Sequence, residues 1–437
     1  MPTAAFCTLG CKLNQYETEA VREKFLSHGY EVVPFGTGAD VYVINTCAVT
    51  AKSDRSSRQM IHRALRGSPG ALVVATGCSV QTNPGSFASI PGVGLVLGNL
   101  EKPRILDFLS ANHRPQRPLT CVSAPENLAH FEDFDISCFG GYTRAFIKIQ
   151  DGCDGGCSYC IVPLARGPSR SRNPESVIAQ AERLARQGYQ EIVLTGVNLG
   201  RYGLDLQLAT SLVDVLKSLI SISGLHRIRL SSIEPSDISP ELIDLLANSS
   251  KICRHLHIPL QSGDSEILQA MNRDYTPTDY RQLIETLVEK IPGVGIGADV
   301  MVGFPGESDR HFRRSYEFVE SLRLAYLHVF NYSQRPRTPA AALPDQVSAE
   351  VRKERSRHFR ELRARKMDRF RQSFLGRRLQ VLLEKRKDRE TGMLTGLADN
   401  YLRVLVDGGD ELMGQMVEAE FTKVVGDKNF GRLRKVV

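Results

Sequence analysis

The stretch Asp151–Gly167 reads DGCDGGCSYCIVPLARG and directly follows the apolar run RAFIKIQ. Cys153, Cys157 and Cys160 have the spacing C-x3-C-x2-C. A structural zinc site usually has four protein ligands, yet residues 161–225 contain neither cysteine nor histidine. Three thiolates on one glycine-rich loop are better suited to three irons of a [4Fe–4S] cluster whose fourth iron stays open.

On the C-terminal side of this loop, apolar strand patterns alternate with helical patterns as far as about Ser333. The candidate strands are RAFIKIQ, EIVLTG, RIRLSS, HLHIPL, GIGADVMVG and YLHVFNY. Six strands in this order predict an open, partial (β/α) barrel. The cysteine loop then lies at the C-terminal end of the first barrel strand, the end at which such barrels carry their active sites.

Residues 3–110 show the same alternation of strand and helix patterns, with the apolar strands AAFCTL, VYVINT, ALVVAT and GLVLGN. Continuous apolar strands separated by helices predict a doubly wound parallel sheet. Cys11, Cys47 and Cys78 follow the first three of these strands, while Cys7 lies inside a strand and is predicted to be a core residue. Because doubly wound sheets bind ligands at the carboxyl ends of their strands, these three thiols form a second candidate metal site.

The C-terminal part of the chain is basic. Residues 348–373 form one long helical pattern, and residues 374–437 contain short, closely spaced strand patterns that predict a small antiparallel β-barrel or sandwich. From Pro344 to Val437 there are 22 Lys and Arg against 15 Asp and Glu, and the remainder of the chain is neutral. This placement predicts an appended module that binds a polyanion, the alternative being a solvated basic helix.

The composition, 42% hydrophobic and 24% charged, is that of a globular α/β protein. No apolar run is long enough to span a bilayer, and the N-terminus lacks a secretory signal pattern, which predicts a cytoplasmic protein with no membrane partner. Disulfides are uncommon in that compartment, so the ten cysteines predict metal binding or burial. The predicted domains are the sheet at 1–113, a linker at 114–140, the barrel core at 141–371 and the small β module at 372–437.

The loop at 153–160 resembles the CxxxCxΦC signature of the radical S-adenosylmethionine superfamily, in which Φ is an aromatic residue, here Tyr159. The resemblance implies a [4Fe–4S] cluster whose open iron is chelated by S-adenosylmethionine. It also implies that an electron from the cluster cleaves this cofactor to a 5′-deoxyadenosyl radical. Tyr159 is expected to pack over the cofactor at that iron.

The segments TLGCKLNQYETE, INTCAVT and TGCSVQ resemble the N-terminal domain of the methylthiotransferases in that superfamily. In that family the three cysteines hold a second [4Fe–4S] cluster, whose free iron carries the sulfur to be inserted. The resemblance continues through the blocks IVPLARGPSRSR, SSIEP, HIPLQSG, MNRDYT, DVMVGFPGE and HVFNYSQRPRTPAA, and the C-terminal module resembles the TRAM RNA-binding domain. This chain departs from the family at Asn331, where proline is frequent, and at Arg337, where glycine is frequent.

Three branches of the family differ in substrate. Two modify the adenosine beside the tRNA anticodon, bearing an isopentenyl or a threonylcarbamoyl group, and the third modifies an aspartate of a small-subunit ribosomal protein. GCKLNQYETE and SSIEP resemble the threonylcarbamoyl branch, whereas GCQMN and GCPKN are typical of the other two. The predicted partners are the tRNA anticodon stem-loop, S-adenosylmethionine and unidentified electron and sulfur donors. The alternative outside the enzymes is an iron–sulfur RNA-binding protein.

The resemblance implies two uses of S-adenosylmethionine. One molecule methylates sulfur on the N-terminal cluster, and the other yields the radical that activates the C2–H bond of adenine. The sulfur site must therefore lie close to the radical. The rim formed by Cys11, Cys47 and Cys78 is expected to face the mouth of the barrel.

Other side chains at the predicted strand ends are candidates for contacts with S-adenosylmethionine or substrate. They are Gly196 and Asn198 after the second barrel strand, Glu234 after the third and Gln261 after the fourth. Arg166 and Arg172 are candidates for binding a substrate carboxylate or phosphate, since a guanidinium binds either in a bidentate manner, and structural ion pairs are the alternative.

The remaining histidines and cysteines near these motifs are given no ligand role. His255 and His257 are predicted to be packed or turn residues. Structural or surface thiols are predicted at Cys121, Cys138 and Cys253.

Overall fold

The computed structural model describes residues 1–110, 118–125, 130–133, 136–137 and 139–437. Cys138 and part of the predicted linker at 114–140 lie outside the described residues. In the described part of the chain, no helix is long and apolar enough to cross a membrane.

The N-terminal part is the predicted parallel sheet covered by helices. Its strands are β1 (Thr3–Thr8), β2 (Glu31–Val32), β3 (Val41–Thr46), β4 (Leu72–Gly77), β5 (Val93–Leu97) and β6 (Leu119–Cys121). Its helices are α1 (Lys12–Ser27), α2 (Ala51–Gly67), α3 (Cys78–Thr82), α4 (Gly85–Ala88) and α5 (Ile105–Ser110). The strand order is β2-β1-β3-β4-β5-β6, so the sheet extends into the segment predicted as a linker.

The strand order sets the position of a ligand crevice. All six residues of β3 are buried, as expected for a strand covered on both faces. The chain leaves β1 toward β2 on one side and leaves β3 toward β4 on the other. The carboxyl ends of β1 and β3 therefore form a topological switch point, the place at which such sheets bind ligands.

The central part is the predicted partial barrel. Its strands are β7 (Ala145–Lys148), β10 (Glu191–Thr195), β11 (Arg227–Leu230), β12 (His255–His257), β13 (Gly295–Val302) and β14 (Tyr326–Asn331). They run parallel in that order, and single bridges from Ile228 to Ile252 and from Ser232 to His257 link β11 to β12. Two short antiparallel strands, β8 (Gln150–Asp151) and β9 (Arg170–Ser171), frame the cysteine loop.

Helices on the outside of the barrel connect these strands. They are α6 (Val162–Arg166), α7 (Pro174–Arg186), α8 (Leu212–Ile220), α9 (Pro240–Asn248), α10 (Ser265–Ala270), α11 (Pro277–Lys290) and α12 (Asp309–Ser321). A single cluster of buried apolar side chains runs from Val43 of the N-terminal sheet to Ile147 of the barrel. The two parts therefore share one hydrophobic core.

The C-terminal part begins with the basic helix α13 (Ala349–Gln372), which buries Phe359 and Leu362 against the central part. It continues as β15 (Arg378–Lys387), β16 (Leu394–Ala398), β17 (Arg403–Val406), β18 (Met416–Val425) and β19 (Lys428–Val436). These strands form a closed barrel in the order β15-β16-β17-β19-β18, antiparallel except for β17 and β19. The prediction of a small β-barrel is confirmed.

The turn between β16 and β17 docks on the N-terminal end of the central barrel. Arg229 donates hydrogen bonds to the carbonyl oxygens of Ala398 (3.0 Å) and Asp399 (2.9 Å). The Tyr401 ring stacks on His255 with ring centroids 4.3 Å apart, and Tyr401 adopts a left-handed φ of 73° to do so. The small barrel thereby covers the base of the central barrel.

We expect Tyr401→Ala to lower the free energy of unfolding by about 1–3 kcal/mol, because the stacked ring is lost. The same variant is expected to release the small barrel sooner in limited proteolysis. Tyr401→Phe is the matched control, since the Tyr401 hydroxyl has no hydrogen-bond partner among the described residues. Equal urea midpoints for Tyr401→Ala and the unaltered protein would contradict this account of the docking.

Candidate functional site

The first candidate site is the cysteine loop at the C-terminal end of β7. Gly152 has a φ of 72°, and a Cβ there would lie 1.8 Å from the Pro168 carbonyl oxygen, so only glycine fits. Each of the three thiols accepts a hydrogen bond. The donors are the Gly155 N–H to Cys153 Sγ (3.2 Å), the Val162 N–H to Cys160 Sγ (3.4 Å) and Arg273 Nη1 to Cys157 Sγ (3.1 Å).

The turn after α10 holds this loop in place. Ser158 donates from its N–H to the Met271 carbonyl oxygen (3.0 Å) and from its hydroxyl to the Ala270 carbonyl oxygen (2.8 Å). Asn272, in a left-handed conformation with φ of 56°, donates to the Gly156 carbonyl oxygen at 2.8 Å. The segment MNRDYT, far away in sequence, therefore fixes the shape of the cysteine loop.

Arg273 is a site residue that the sequence prediction missed. Besides Cys157, its guanidinium forms an ion pair with Glu234 and lies 4.9 Å from the centre of the Tyr275 ring. The sequence does contain a signal for this site residue, because Arg273 is the positively charged residue of the MNRDYT block. Its contact with a thiol 116 residues away could not be derived from local spacing.

The second candidate site lies at the switch point of the N-terminal sheet. Cys11 precedes α1, Cys47 follows β3, and Cys78 is the first residue of α3. A Cβ on Gly10 would lie 2.8 Å from Cys47 Sγ, so the loop after β1 passes directly beside that thiol. The three cysteines that the sequence places on separate strand ends thus lie together at one rim.

Neighbouring thiols in each triad disfavour one another's ionisation. Burial raises the pKa of the Cys160 thiol to about 12, with the neighbouring thiolates of Cys157 and Cys153 adding to the rise. Burial also raises the pKa of Cys11 and of Cys47, although the charge of Arg166 opposes this. A metal that binds such thiols takes the place of their protons and neutralises the resulting thiolates, so both triads are candidate metal sites.

The spacing of the thiols favours a cluster over a single ion. Two sulfurs on one tetrahedral zinc, with bonds of about 2.3 Å, are about 3.8 Å apart. Among the described residues, three histidine, cysteine or carboxylate ligand atoms lie within 4.8 Å of one another only in His257–Asp299–His328 and Asp264–Glu266–His311. The three sulfurs of neither cysteine triad meet this limit, so the geometry disfavours one tetrahedral ion shared by all three thiols and leaves the larger [4Fe–4S] cluster as the candidate.

The two triads lie at the same end of the molecule. α3, which begins at Cys78, packs against α6, which follows Cys160. Asn99 spans the junction, donating to the Ala165 carbonyl oxygen at 2.8 Å and lying 4.0 Å from Cys78 Sγ. This arrangement agrees with the expectation that the N-terminal rim faces the barrel mouth.

The predicted contacts after the second barrel strand are organised by Gln150, which the sequence prediction did not identify. Its side-chain oxygen accepts from the N–H groups of Val197 and Asn198, both at 2.8 Å, and its amide donates to the Gly152 carbonyl oxygen at 2.8 Å. Gly196 lies against this side chain, where a Cβ would be 2.9 Å from Gln150 Oε1. Gln150 therefore joins this strand end to the cysteine loop.

Two of the predicted contact residues present unused polar atoms. Asn198 donates to Asp237 (2.9 Å), but its side-chain oxygen is buried with no partner among the described residues. Gln261 adopts a left-handed φ of 68°, and its side-chain amide has no hydrogen bond within the described residues. Backbone strain at a non-glycine residue often marks a ligand-binding position.

Glu234 and Tyr159 are partly buried. Burial raises the pKa of Glu234, and the ion pair with Arg273 opposes that rise. Tyr159 packs beside the apolar cluster of Met271, Phe304 and Tyr332. The Tyr159 ring therefore ties the cysteine loop to the ends of the later strands.

Arg166 and Arg172 are both engaged inside the protein. Arg166 donates to Glu17 (2.8 Å), Asp151 (2.9 Å) and Asn14 (2.8 Å). Arg172 forms an ion pair with Asp133 at 2.6 Å and is fully buried. These contacts give both arginines a structural role, and the predicted binding of a substrate anion has no support in the geometry.

The histidines of β12 line the inside of the barrel. His255, which is buried, hydrogen-bonds the Tyr326 hydroxyl at 2.8 Å, as expected of a packed residue. His257 contacts Asp299 (2.8 Å), whose carboxylate also contacts the half-exposed His328 (3.3 Å). Sequence reasoning did not identify this polar row across β12, β13 and β14.

The comparisons with known proteins agree with this architecture. Residues 147–319 match the family model described as Radical SAM superfamily, and residues 3–98 match Uncharacterized protein family UPF0004. The Threonylcarbamoyladenosine tRNA methylthiotransferase MtaB of Bacillus subtilis (strain 168) is 40% identical, covering 100% of this chain and 97% of that protein. The protein of the same name from Aquifex aeolicus is 40% identical over 94% of this chain and 98% of its own length.

A more distant relative and one solved structure extend the comparison. The tRNA-2-methylthio-N(6)-dimethylallyladenosine synthase of Pelotomaculum thermopropionicum is 32% identical over 94% of this chain and 93% of that protein. The radical S-adenosylmethionine methyltransferase TsrM of Kitasatospora setae, solved with tryptophan substrate and a SAM analogue, has a TM-score of 0.60 and 17% identity. That match covers 78% of this chain and 75% of TsrM, and it shows a common fold.

Proposed function

Because the chain belongs to the radical S-adenosylmethionine methylthiotransferase family, we propose that it converts N6-threonylcarbamoyladenosine next to the tRNA anticodon to its 2-methylthio derivative. The observation that carries this proposal is the match to relatives named for that substrate along the whole chain, at 40% identity. The relatives named for the dimethylallyl substrate are 31–32% identical. The substrate is a tRNA, which places the reaction in the cytoplasm.

We infer that Cys153, Cys157 and Cys160 hold one [4Fe–4S] cluster and that Cys11, Cys47 and Cys78 hold a second. The width of both triads and the convergence of three thiols at each site support this inference. When bound, these clusters and S-adenosylmethionine supply the radical chemistry at C2 of the adenine, together with the sulfur and the methyl group.

The residues of this chain then hold the reactants in place. Gln150 fixes the strand end that carries Asn198, whose unpaired side-chain oxygen is available to accept a hydrogen bond from S-adenosylmethionine. Gln261 offers a free amide from the end of β12. Tyr401 covers the base of the barrel and so helps to exclude water from the interior.

The C-terminal module is proposed to bind the tRNA backbone. On the small barrel, the side chain of Arg386 is 60% exposed and that of Arg403 is 50% exposed. Arginine contacts with phosphates supply affinity that does not depend on RNA sequence. Base-specific recognition is then left to the central barrel, because an enzyme that modifies a base must take it out of the stack.

Two further partners follow from the balance of the reaction. Reductive cleavage of S-adenosylmethionine consumes an electron, and the methylthio product contains a sulfur atom that the methyl donor does not supply. We therefore infer that an electron donor and a sulfur donor act together with this protein.

Anaerobic reconstitution tests the proposal. The purified protein with reconstituted clusters, S-adenosylmethionine, sulfide and a chemical reductant is incubated with stem-loop RNAs that carry threonylcarbamoyladenosine or isopentenyladenosine. We expect mass spectrometry of the digested RNA to show that the threonylcarbamoyl RNA is methylthiolated at least about tenfold faster than the isopentenyl RNA. Preferential turnover of the isopentenyl RNA, or of the small-subunit ribosomal protein, would overturn the substrate assignment. RNA binding without turnover would favour the non-enzyme alternative.

A further inference from the structure

Lys12 is a half-buried cation that follows Cys11 at the start of α1. The structure gives its ammonium no hydrogen bond or ion pair with any described residue. The charges nearby include Arg144 and Arg229, which repel it, and Glu191 and the Cys11 thiolate, which attract it. Because α1 packs against β7, the first strand of the central barrel, Lys12 lies between the rim of the second cysteine triad and the barrel.

The local charge is unbalanced. Glu191 already pairs with Arg229 (2.7 Å), Arg227 (3.6 Å) and Arg144 (3.8 Å). Glu191 is fully buried, and the second acidic partner of Arg144 is Glu384 at 3.8 Å, so these carboxylates are already engaged by arginines. An anion that entered the barrel beside Lys12 would find an ammonium free to receive it.

We propose that Lys12 binds the carboxylate of the threonylcarbamoyl group and so selects the substrate. This inference rests on the proposed function. In adenine, C2 and C6 flank N1 on one edge of the ring. A base that binds with its C2 toward the triad that includes Cys11 and its N6 turned toward α1 presents its N6 substituent beside Lys12. A threonylcarbamoyl group ends in a carboxylate there, whereas an isopentenyl group is uncharged.

The enclosure of Lys12 favours a carboxylate on the base over a backbone phosphate. A flipped base enters an enzyme interior, while its backbone stays at the mouth. The far end of this interior is covered by Tyr401, which stacks on His255 beside Arg229. The N6 substituent is the part of the nucleotide that reaches furthest from the ribose on that edge.

Binding measurements with the cluster-loaded protein test the proposal. Three stem-loop RNAs are compared, bearing threonylcarbamoyladenosine, its threonine carboxamide analogue or unmodified adenosine. We expect the unaltered protein to prefer the carboxylate over the carboxamide by about 10- to 100-fold, the range typical of a charge-assisted hydrogen bond. Lys12→Met is expected to remove that preference without weakening binding of unmodified RNA, and Lys12→Arg is expected to keep part of it.

Lys52→Met is the matched control, because Lys52 is an exposed cation in the first turn of α2, after Cys47. It is expected to leave the carboxylate preference intact. Iron content is measured for every variant. Equal affinity of the unaltered protein for the carboxylate RNA and the carboxamide RNA overturns the proposal, whether or not Lys12→Met loses iron. A loss by Lys12→Met of affinity for all three RNAs alike would identify a phosphate contact and also overturn it. Absence of any turnover of threonylcarbamoyl RNA by the unaltered protein would instead refute the proposed function.

Discussion

Replacing Cys153, Cys157 and Cys160 with alanine is expected to abolish the formation of 5′-deoxyadenosine and to remove about half of the iron of the protein. Each [4Fe–4S] cluster contributes four irons, so the content falls from about eight to about four per chain. The effect is this large because no cysteine or histidine among residues 161–225 can replace a lost ligand. Iron analysis and chromatography of the S-adenosylmethionine products measure both quantities.

The triple replacement of Cys11, Cys47 and Cys78 with alanine separates the roles of the two sites. It is expected to remove the same amount of iron and to abolish methylthiolation, while cleavage of S-adenosylmethionine continues. Cys7→Ala with Cys121→Ala is the control, since both thiols are half-buried and lie outside the triads. Retention of all iron by either triple variant would show that the assigned cysteines are not the ligands.

Glu17→Gln is expected to lower the free energy of unfolding by about 3–5 kcal/mol, the cost of breaking a buried ion pair on one side. Glu17 is buried on α1 and binds Lys102 (2.5 Å), Arg166 (2.8 Å) and Lys148 (3.0 Å). Burial raises the pKa of this carboxyl, but the three cations outweigh burial and hold the pKa well below its usual value. The variant leaves Lys148 and Arg166 with Asp151 as their buried carboxylate partner and, among the described residues, leaves Lys102 with only the Asn99 side-chain oxygen at 3.0 Å. Urea denaturation at neutral pH measures the loss.

The network around Glu17 joins the N-terminal sheet to the barrel, so the same variant should also reduce methylthiolation. Glu19→Gln is the matched control, two residues along the same helix. Glu19 pairs with the partly exposed Arg22 at 3.2 Å, and loss of such a pair costs up to about 1 kcal/mol. Equal stability losses for the two variants would contradict the assigned role of the buried network.

Local patterns in the sequence were sufficient to predict the architecture. The apolar strands VYVINT and ALVVAT correspond to β3 and β4, because strands buried on both faces must be apolar throughout. The six barrel strands and the closed C-terminal barrel are confirmed as well. The gathering of Cys11, Cys47 and Cys78 at one rim follows from parallel strands ending at the same edge.

Side chains whose partners are distant in sequence could not be predicted. Glu17 and Arg166 meet across 149 residues, and His255 meets Tyr401 only because the small barrel docks beneath the central one. The strand β6 is only three residues long and has no apolar run to mark it. Lys12 is visible in the sequence, but its lack of a partner is a property of the folded chain.

One departure from the family pattern has a direct physical explanation. Arg337 adopts a φ of 69°, a left-handed conformation that favours glycine. Its guanidinium donates to the Thr82 carbonyl oxygen at 3.3 Å, which links this loop to the N-terminal part. Nothing in the structure explains the second departure, Asn331, which lies at the end of β14.

The most direct test of the account is mass spectrometry of tRNA nucleosides from a strain that lacks this protein, beside its parent. We predict that N6-threonylcarbamoyladenosine accumulates in the deletion strain and that its 2-methylthio derivative disappears. The unaltered gene should restore the derivative, whereas either cysteine triple should not. An unchanged level of the 2-methylthio derivative in the deletion strain would contradict the central claim.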